Sequence, residues 1–492
     1  MAIILGMDVG TTNIKVILAD SCGIILDSAC GATAVQMPFD GASEMDMDDL
    51  WQRLCALTNQ LKSRNQEIWS QIEGAGISAQ GDGMWAIDRQ GNPAGQAILW
   101  NDTRTRVLTG LDEGALDQFL MQESSTALFA GAFPLILKWI KLNEPQRYSR
   151  IDKVFRCKDW LNLKLTGNIA SDFTDFSTCG INIFTHEYIF GLFDLLGISE
   201  AKSMLPPLIA STDIVGNVSG LAERQCGIPA GVPVIAGAID VVATSLGAGV
   251  NTLGDSCTIL GTTVCNEILI DASQVNTAER TGSALCSIFP GKYLRVMANN
   301  SGNSTIDWAK GILAPEMEIS ALKDVLESIP TGSRGLIYHP YIRGERAPFR
   351  DPFACGGFYG LTAQHTRFEM LRAAYEGMVL SIKDCYNALP KTDGKIYLSG
   401  GGAASDFSCQ LIAHALGKEV IRPNHKELCA RGIVEAVKIG LNIDPGPYQC
   451  AEDMDLFVPD LAQTEKFEAL YGQFIALKEN MTEFWKWRST GI

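Results

Sequence analysis

The sequence predicts an α/β protein of two duplicated domains, and three observations indicate this class. The chain has 492 residues, more than the roughly 250–300 at which a single hydrophobic core stops growing. Strand-like apolar runs alternate with amphipathic helical segments along its length. The tripeptide Gly-Thr-Thr stands between two strand-like runs once in each half, beginning at Gly10 and at Gly261. The repeat predicts two related α/β domains that each offer one turn to a ligand.

The first half is expected to begin with a β-hairpin whose turn is Gly10–Asn13. A third strand, an amphipathic helix and a strand–turn–strand unit follow, which gives the order βββαβ. Acidic residues fill the first turn of that helix, where they complement its dipole. The predicted segments are strands 3–9, 14–20 and 22–30, helix 44–64, the strand–turn–strand unit 72–88, and a strand at 232–240 that feeds a helix.

The second half is expected to repeat this pattern. Strands surround the second Gly-Thr-Thr turn, and a later strand breaks into the glycines Gly400–Gly402 before a helix. No Pro- or Ser-rich linker separates the halves, so a tight connection is expected near Gly247–Gly254. The predicted segments are strands within 256–270, 292–300 and 395–399 and helices 303–313, 369–389, 405–416 and 466–487.

Charge and composition exclude several classes of partner. The formal net charge of −16 disfavours nucleic acid and anionic lipid by bulk electrostatics. Many of the 14 cysteines lie in apolar runs without a Cys-x-x-Cys pair, which is typical of reduced thiols in a cytoplasmic protein. The N-terminus has no basic region before its apolar run and does not read as a signal peptide. The long apolar segment 232–250 has Asp240 at its centre, which favours a buried strand–turn–helix over a membrane span.

The two Gly-Thr-Thr turns suit phosphate binding. Backbone N–H groups and two hydroxyls are donors for phosphate oxygens, and glycine allows close approach. Asp8 and Gly10 face the same side of their strand, and a carboxylate beside a phosphate is repulsive unless Mg²⁺ lies between them. Lys15, the nearest cation, either reaches a phosphate or is a solvated strand lysine. A P-loop, a complete dinucleotide fingerprint and a Gly-x-Ser-x-Gly elbow are all absent from the sequence.

Five segments resemble, in order, motifs of the FGGY family of carbohydrate kinases: GMDVGTTNIKVILAD, AGAIDVVATSLGAG, ILGTTV, GFYGLTAQHTRFEMLRAAYEGMVLSI and YLSGGGAASDFSCQLIAHALGKEV. The resemblance covers essentially the whole chain. It implies two duplicated ribonuclease-H-like domains of the actin-like ATPase type, with a ligand cleft between them. Residues 1–247 would carry the sugar side and the first phosphate loop, and residues 248–492 the nucleotide side. The implied activity is transfer of the γ-phosphate of ATP, with Mg²⁺, to a hydroxyl of a small sugar or polyol.

The resemblance also implies roles for single residues. Asp240 matches the family's catalytic base, although its local pattern also fits a helix N-cap. Asp8 matches the metal-associated aspartate, or it only caps a turn. Glu376, in a helical run, is interpreted as structural. The residues that match nucleotide contacts are Thr11 and Thr12 in the first loop, Gly261 and Thr262 in the second, and Gly302, Gly402 and Ala403.

The sugar site is expected in the first domain, from Glu44, Gln80, Asp82 and Asp102 together with Asp240. Ala42 replaces a family tryptophan two residues before Glu44. Asp82 falls where glycerol kinases have a hydroxyl-binding glutamate, but the neighbouring arginine of that branch is missing. Asp102 fits a helix cap as well as a substrate contact.

These departures argue against a plain glycerol kinase and a plain D-xylulose kinase. The runs SAQGDG and RCKDWLNLKLTG are similar to the L-xylulose and erythritol kinase branches, so the expected substrate is a ketopentose such as xylulose or L-xylulose, or a tetritol or pentitol. A non-catalytic or regulatory nucleotide-binding protein of the same fold is the alternative. A homodimer is the only further partner that the resemblance suggests.

Overall fold

The structure is a computed structural model that describes residues 2–108, 113–126, 128–278, 281–425, 427–443 and 454–490. The chain divides into two compact units. The first unit comprises Met1–Gly249, Asp271–Leu294 and His425–Ala451, and the second comprises Val250–Ile270, Arg295–Asn424 and Glu452–Ile492. The predicted boundary after residue 247 does not account for the segments 271–294 and 425–451, which also belong to the first unit. As a domain boundary it stays a prediction.

The first unit is built around a mixed seven-stranded sheet with strand order β12-β13-β6-β1-β2-β3, in which β14 also pairs with β6. The smaller sheets are β4-β5-β8, β7-β9 and β10-β11. The strands are β1 (Ile3–Val9), β2 (Asn13–Asp20), β3 (Ile25–Ala32), β4 (Val35–Gln36), β5 (Glu44–Met45), β6 (Ile72–Ala79), β7 (Trp85–Ile87), β8 (Ala97–Ile98), β9 (Lys153–Phe155), β10 (Ser171–Asp172), β11 (Leu208–Ile209), β12 (Ile214–Asn217), β13 (Pro233–Ile235), β14 (Ala238–Ile239) and β17 (Ser283–Cys286).

Side-chain alternation along β1 decides what packs on each face of this sheet. Ile3, Leu5, Met7 and Val9 enter the hydrophobic core, which includes apolar residues of α1, α6 and α9. The opposite face meets α15. The helices of the unit are α1 (Met47–Arg64), α2 (Gln66–Trp69), α3 (Glu113–Ser124), α4 (Phe133–Asn143), α5 (Pro145–Tyr148), α6 (Cys157–Thr166), α7 (Phe173–Phe176), α8 (Phe190–Leu195), α9 (Gly220–Cys226), α10 (Asp240–Ala248) and α15 (Leu428–Gly440).

Two glycines allow α10 and α15 to approach at backbone distance. A Cβ at Gly432 would overlap the carbonyl oxygen of Ala243, and a Cβ at Gly247 would overlap that of Leu428. Because backbone cannot move aside as a flexible side chain can, both positions require glycine. The contact fixes α10, and therefore its first residue Asp240, against the helix that lies on the sheet.

The second unit repeats the hairpin and the parallel third strand of the first. Its strands belong to a seven-stranded sheet with the order β17-β18-β16-β15-β21-β22-β23, of which β17 comes from the residues assigned to the first unit. In it, β15 and β16 are antiparallel around the second Gly-Thr-Thr turn, and β21 runs parallel to β15. The strands are β15 (Ser256–Leu260), β16 (Val264–Asp271), β18 (Lys292–Asn299), which begins in the last residues of the first unit, β19 (Ile337–His339), β20 (Gly357–Tyr359), β21 (Ile396–Ser399), β22 (Val420–Pro423) and β23 (Met454–Phe457).

The core of the second unit lies among its helices and this sheet. The long α13 is almost entirely buried along its central turns, and Phe467, Phe474 and Trp485 of α16 join the same cluster. The helices are α11 (Asn303–Leu313), α12 (Ile319–Ser328), α13 (Arg367–Ala388), α14 (Asp406–Leu416) and α16 (Leu461–Ser489). Within the described residues, no helix combines the length and the apolar character needed to span a bilayer.

The predicted α/β class and the order of its elements are confirmed, with differences at the ends of elements. The helix expected over 44–64 begins at Met47, because Asp46 caps it by accepting a hydrogen bond from the Asp49 N–H. Glu44 and Met45 instead form a short strand against β4. The last helix is longer than expected and runs over Leu461–Ser489.

The close contact between α10 and α15 gives the first prediction. Gly432→Ala is expected to lower the free energy of unfolding by about 1–3 kcal/mol, because an added methyl group forces two backbones apart. Gly472→Ala is the matched control, since a Cβ there meets open space in α16 and helix propensity favours alanine by roughly 0.5–1 kcal/mol. Urea unfolding of both variants measures the difference. Equal stability of the two would contradict the packing argument.

Candidate active site

Strand pairing brings the predicted acidic residues of the first unit to one edge of its sheet. In the parallel pair β1–β6, Asp8 is level with Ser78, and in β14–β6, Ala238 is level with the same Ser78. The carboxyl ends of β1, β6 and β14 therefore coincide, and the residues that follow them emerge together. Asp8, the turn after β1, the turn after β6 and Asp240 all lie at this edge.

Asp240 is the first residue of α10 and only partly buried. Its Oδ1 accepts a hydrogen bond from the Val241 N–H at 2.8 Å. Desolvation raises the pKa of Asp240 to about 7, with further increases from the Asp8 and Asp82 charges that outweigh the Val241 hydrogen bond. A carboxyl group with a pKa near neutrality can hold or release a proton at working pH, which is what a general base requires.

Asp8 shares its strand face with Gly6, so it points toward the α15 side of the sheet. Burial raises the pKa of Asp8; a hydrogen bond from the Cys429 thiol and the charge of Lys15 oppose this, and Glu427 adds to it. Lys15 forms an ion pair with Glu427 at 2.9 Å. Of the two roles considered for Lys15, the structure therefore shows an ion-paired lysine, and its contact with a phosphate stays a prediction.

The first Gly-Thr-Thr turn connects with the turn after β6. The Thr11 hydroxyl donates to Gln80 Oε1 at 2.8 Å and accepts from the indole N–H of Trp100 at 3.1 Å. The Thr12 side chain is exposed, and its hydroxyl accepts from Asn13 Nδ2 at 3.3 Å. Thr12 is thus the more accessible of the two hydroxyls, whereas Thr11 orients Gln80. The roles of both in phosphate binding stay predictions.

Gln80 begins the tight turn Gln80–Gly83. Its side chain is 2 % exposed, and its amide Nε2 has no hydrogen-bond partner among the described residues. Asp82 adopts a left-handed backbone conformation with φ of 57°, which aspartate tolerates better than most residues. Its Oδ1 accepts a hydrogen bond from the Thr178 hydroxyl at 2.5 Å. Desolvation raises the pKa of Asp82, and the charge of Arg156 and the Thr178 hydrogen bond lower it.

Glu44 and Asp102 are joined by a residue that the sequence analysis did not single out, Arg104. Its guanidinium donates to Glu44 Oε1 at 2.6 Å and to both oxygens of Asp102 at 2.8–3.0 Å. Asp102 also accepts from the backbone N–H of Ser43 at 2.7 Å. The Asp102 carboxylate is therefore fully engaged and buried, and it supports Arg104 and the strand that carries Glu44. The sequence could have indicated Arg104 by its position two residues after Asp102. Its second partner, Glu44, is brought next to it only by the tertiary structure. Direct contact of Glu44 or Asp102 with a substrate stays a prediction.

In the second unit, the second Gly-Thr-Thr turn lies beside the start of α11. The Asn303 N–H donates to the carbonyl of Gly261 at 2.9 Å, and Ser304 Oγ donates to that of Thr262 at 2.9 Å. A Cβ at Gly302 would overlap this turn. The Thr262 side chain is exposed, and its hydroxyl has no hydrogen-bond partner in the described part of the chain. The turn therefore offers a free hydroxyl.

A cavity of about 520 Å³ lies next to this turn, within the size range of small-molecule sites. Gly402 lines it, and a Cβ there would collide with the Asn303 side chain. Ala403 is buried behind the lining, where its carbonyl accepts from Arg422 Nη1 at 2.9 Å. The bare backbone of 401–402 and the aromatic rings of Tyr375 and Phe407 give the cavity surfaces suited to a flat base. The lining residues are Asn303, Ile306, Asp307, Lys323, Leu326, Tyr375, Gly401, Gly402, Ala404, Ser405, Asp406, Phe407 and Ser408.

Glu376 is structural, as predicted. It is buried in α13, where it accepts from Arg372 Nε at 2.9 Å and from the Ser333 hydroxyl at 2.9 Å. Both of its carboxylate oxygens are therefore engaged.

The residues at the edge of the first sheet fit a magnesium ion bound together with phosphates. The described residues contain no group of three or more Asp, Glu, His or Cys side chains that could enclose a metal. Mg²⁺ usually binds through one or two carboxylates, with waters and substrate phosphates completing its shell. Asp8, whose carboxylate lies near Asp240 and Glu427, can supply one such carboxylate, and its contact with a metal stays a prediction.

Comparison with known proteins identifies relatives along almost the whole chain. Residues 3–247 match the N-terminal domain of the FGGY family of carbohydrate kinases, and residues 249–436 match its C-terminal domain. The chain is 27% identical over 499 residues to an erythritol kinase of Brucella abortus (strain 2308), covering 97% of this chain and 95% of that protein. It is 29% identical over 476 residues to a probable L-xylulose kinase of Pasteurella multocida (strain Pm70), covering 96% and 97%. The crystal structure of a ligand-bound xylulose kinase from Lactobacillus acidophilus shares the fold, with a TM-score of 0.89 at 22% identity over 98% of each chain.

The free hydroxyl of Thr262 gives the second prediction. Thr262→Val keeps the side-chain shape and removes the donor, so it is expected to weaken nucleotide binding. A hydrogen bond to a charged group contributes roughly 1.5–3 kcal/mol, which is about ten- to a hundredfold in affinity. Calorimetric titration with a non-hydrolysable ATP analogue measures the loss. Thr252→Val, at another exposed threonine of the second unit, is the control, and an equal loss in both variants would exclude Thr262 from the phosphate site.

Proposed function

This chain belongs to the FGGY family of carbohydrate kinases, and from that premise we propose that it transfers the γ-phosphate of ATP to a hydroxyl of a small uncharged sugar or polyol. The observation that carries this proposal is the arrangement in the first unit. A carboxyl group with a pKa of about 7, Asp240, stands at the same sheet edge as Asp8 and the polar turn Gln80–Gly83. A base, an acidic metal ligand and hydroxyl-binding groups are what phosphoryl transfer to an alcohol requires.

The proposed roles follow from what each group can do. Ionised Asp240 accepts the proton of the attacking hydroxyl and orients that oxygen toward the phosphate. Gln80 offers its unpartnered amide, and Asp82 its carboxylate, to other hydroxyls of the sugar. Asp8 would hold Mg²⁺, which when bound would neutralise phosphate charge. In the second unit, the turn that contains Gly261 and Thr262 would bind phosphates.

The nucleoside is proposed to occupy the cavity of about 520 Å³ in the second unit. Gly402 gives an adenine ring a flat backbone surface, and the rings of Tyr375 and Phe407, 5.3 Å apart, supply apolar contact. Gly302 and Ala403 shape the neighbouring turns without presenting a side chain to the ligand. A cytoplasmic location and a homodimer, both expected from the sequence, stay predictions.

Charge at the sugar side favours an uncharged substrate. Two of the cations at this edge are already neutralised, because Arg104 is bonded to Asp102 and Glu44 and Lys15 to Glu427. Asp82 and Asp240 would face an incoming sugar, and Asp8 adds a further acidic group. A sugar acid would therefore meet like charge, and neither Arg104 nor Lys15 is free to offset it.

The third prediction concerns substrate choice. Among the substrates that relatives' names suggest, xylulose, L-xylulose and erythritol are expected to be phosphorylated with a kcat/KM at least about a hundredfold above that for gluconate or 3-keto-L-gulonate. Repulsion between two unit charges near a protein surface is worth up to about 4 kcal/mol at 4 Å, which is more than this ratio requires. ADP release from ATP with each compound measures it. Preference for a sugar acid would refute the uncharged-substrate proposal, and no transfer to any compound would count against the kinase assignment for this panel.

The fourth prediction concerns Asp240→Asn. The amide can still hold the sugar hydroxyl, so the sugar Kd should change little, whereas kcat should fall by about 10²–10⁴-fold through loss of the base. For the wild type, kcat/KM should rise with pH up to about 7, where Asp240 becomes ionised, and then level off. The variant should lack this rise. Single-turnover transfer beside calorimetric sugar binding separates the two effects, and near-normal turnover would remove Asp240 from catalysis.

Stability measured on the same variant gives an independent check. Because the folded pKa of Asp240 lies above its unfolded value, the native state binds the extra proton between pH 4 and 7, and stability falls as pH rises through this window. Asp240→Asn removes that loss. At pH 8 the free energy of unfolding of the variant should be about 1–3 kcal/mol higher than that of the wild type, after allowance for the partial exposure of Asp240. Near pH 4 the two free energies should be equal. A variant less stable at pH 8 would show that Asp240 is a structural cap.

A further inference from the structure

Arg156 is a buried cation that none of the proposed roles uses. It precedes α6 and is 0 % exposed. Its guanidinium carbon lies 4.6 Å from the ring centroid of Phe133 and 4.5 Å from that of Phe176. Two of its nitrogens, Nε and Nη2, have no hydrogen-bond partner among the described residues. A charged group this deeply buried is costly unless it interacts with another charge or dipole.

The guanidinium does interact with the sugar-binding turn. Arg156 Nη1 donates to the carbonyl of Gly83 at 2.9 Å, which is the last residue of the turn Gln80–Gly83. The N–H of the same Gly83 donates to the carbonyl of Gly131 at 3.2 Å. The peptide groups before and after Gly83 are therefore both fixed. Gly83 itself has a φ of 65°, and a Cβ there would overlap the carbonyl of Ile98, so the turn has little room to relax.

Arg156 also acts on Asp82, although the two side chains form no ion pair within the described residues. Its positive charge lowers the pKa of Asp82 against the larger effect of desolvation. The other titratable groups around Asp82 come from α10, from α7 and from the residues just after α7. They are Asp240, which senses the Asp82 charge, Cys179, whose pKa burial raises to about 12, and Asp175, whose pKa burial raises to about 8.

We propose that Arg156 is a positioning residue for the sugar site: it holds the turn Gln80–Gly83 from behind and places a buried positive charge on the Asp82 side of that turn, without touching the sugar. The inference rests on the proposed kinase function, since it concerns recognition of sugar hydroxyls by Asp82. An ionised Asp82 accepts hydrogen bonds from two hydroxyls, whereas a protonated one loses an acceptor and part of that pairing. The aromatic rings of Phe133 and Phe176 hold the cation in a place where water cannot screen it.

The test uses the full-length protein with whichever of L-xylulose, xylulose or erythritol the wild type phosphorylates. Arg156→Met keeps the length of the side chain and removes its charge. At pH 7 the sugar KM is expected to rise about ten- to a hundredfold, with the ATP KM within about twofold of wild type. The increase should shrink as pH is raised, because Asp82 then ionises without its counter-charge. Arg156→Lys, which retains a charge, should restore most of the wild-type pH profile.

Asp82→Asn supplies the decisive background, because an amide does not titrate. In that background Arg156→Met should add no pH dependence to the sugar KM, and only the pH-independent increase that comes from the loosened turn should remain. A pH-dependent increase in the Asp82→Asn background, or an increase that is the same at every pH when Asp82 is present, would overturn the proposal. If Arg156→Met does not fold, the comparison of Arg156→Lys with wild type in both backgrounds decides by the same criteria.

Arg147→Met is the control for simple loss of a buried arginine. Arg147 is also mostly buried and donates to the carbonyl of Ala94 at 2.8 Å, but it has no charge effect on Asp82. It should lower thermal stability and leave the pH profile of the sugar KM unchanged. A pH-dependent KM in Arg147→Met would overturn the assignment to Arg156. Failure of the kinase assignment would instead appear as absence of transfer by the wild type, so the two failures are distinct.

Discussion

The main constraint on the first unit is that several partly buried carboxylates lie close together at one edge of its sheet. Burial raises the pKa of Asp8, Asp82 and Asp240, and the charges of Asp8 and Asp82 add to the shift of Asp240. Left free, these side chains would move apart or into solvent. Three parallel strand ends hold their backbones level, so the repulsion is retained in the folded state. The perturbed pKa values of a functional site arise in this way from fixed backbone geometry.

The surrounding structure offsets this charge without cancelling it. Lys15 is ion-paired with Glu427, so its charge offsets that of Asp8 only in part. The Cys429 thiol donates a further hydrogen bond to Asp8. Arg156 acts on Asp82 from behind the turn. The carboxyl of Asp240 accepts a hydrogen bond from the Val241 N–H and meets the like charges of Asp8 and Asp82, and its pKa reaches about 7. Asp240 is thus a carboxyl suited to exchange a proton, and stability given up at that position is the expected counterpart of activity.

Sequence reasoning predicted the fold class, the family and the placement of groups that follow strand ends. Asp8, the two Gly-Thr-Thr turns and Asp240 could be placed because alternation and strand boundaries are local properties. Glu44 and Asp102 could be identified as polar candidates, but their common partner Arg104 is 60 residues from Glu44. Arg156, at the start of a helix, contacts two aromatic residues and a turn that come from separate segments of the chain. No local pattern encodes such contacts, so they could not be predicted.

The two hairpins have the same backbone arrangement but differ in the charge of the residue that precedes the turn. Two residues before the turn glycine, the first unit has Asp8 and the second has Ile259. The registers match, since each of these strands pairs in parallel with the strand that precedes the next turn. In the first unit that next turn carries Asp82, and in the second it carries Gly400–Gly402. A carboxylate at position 259 would repel the phosphates proposed for the second turn, whereas an apolar residue leaves the turn N–H groups and the Thr262 hydroxyl as the local field. The difference between aspartate and isoleucine at this strand end therefore distinguishes the site proposed for an alcohol and a metal from the site proposed for a polyanion.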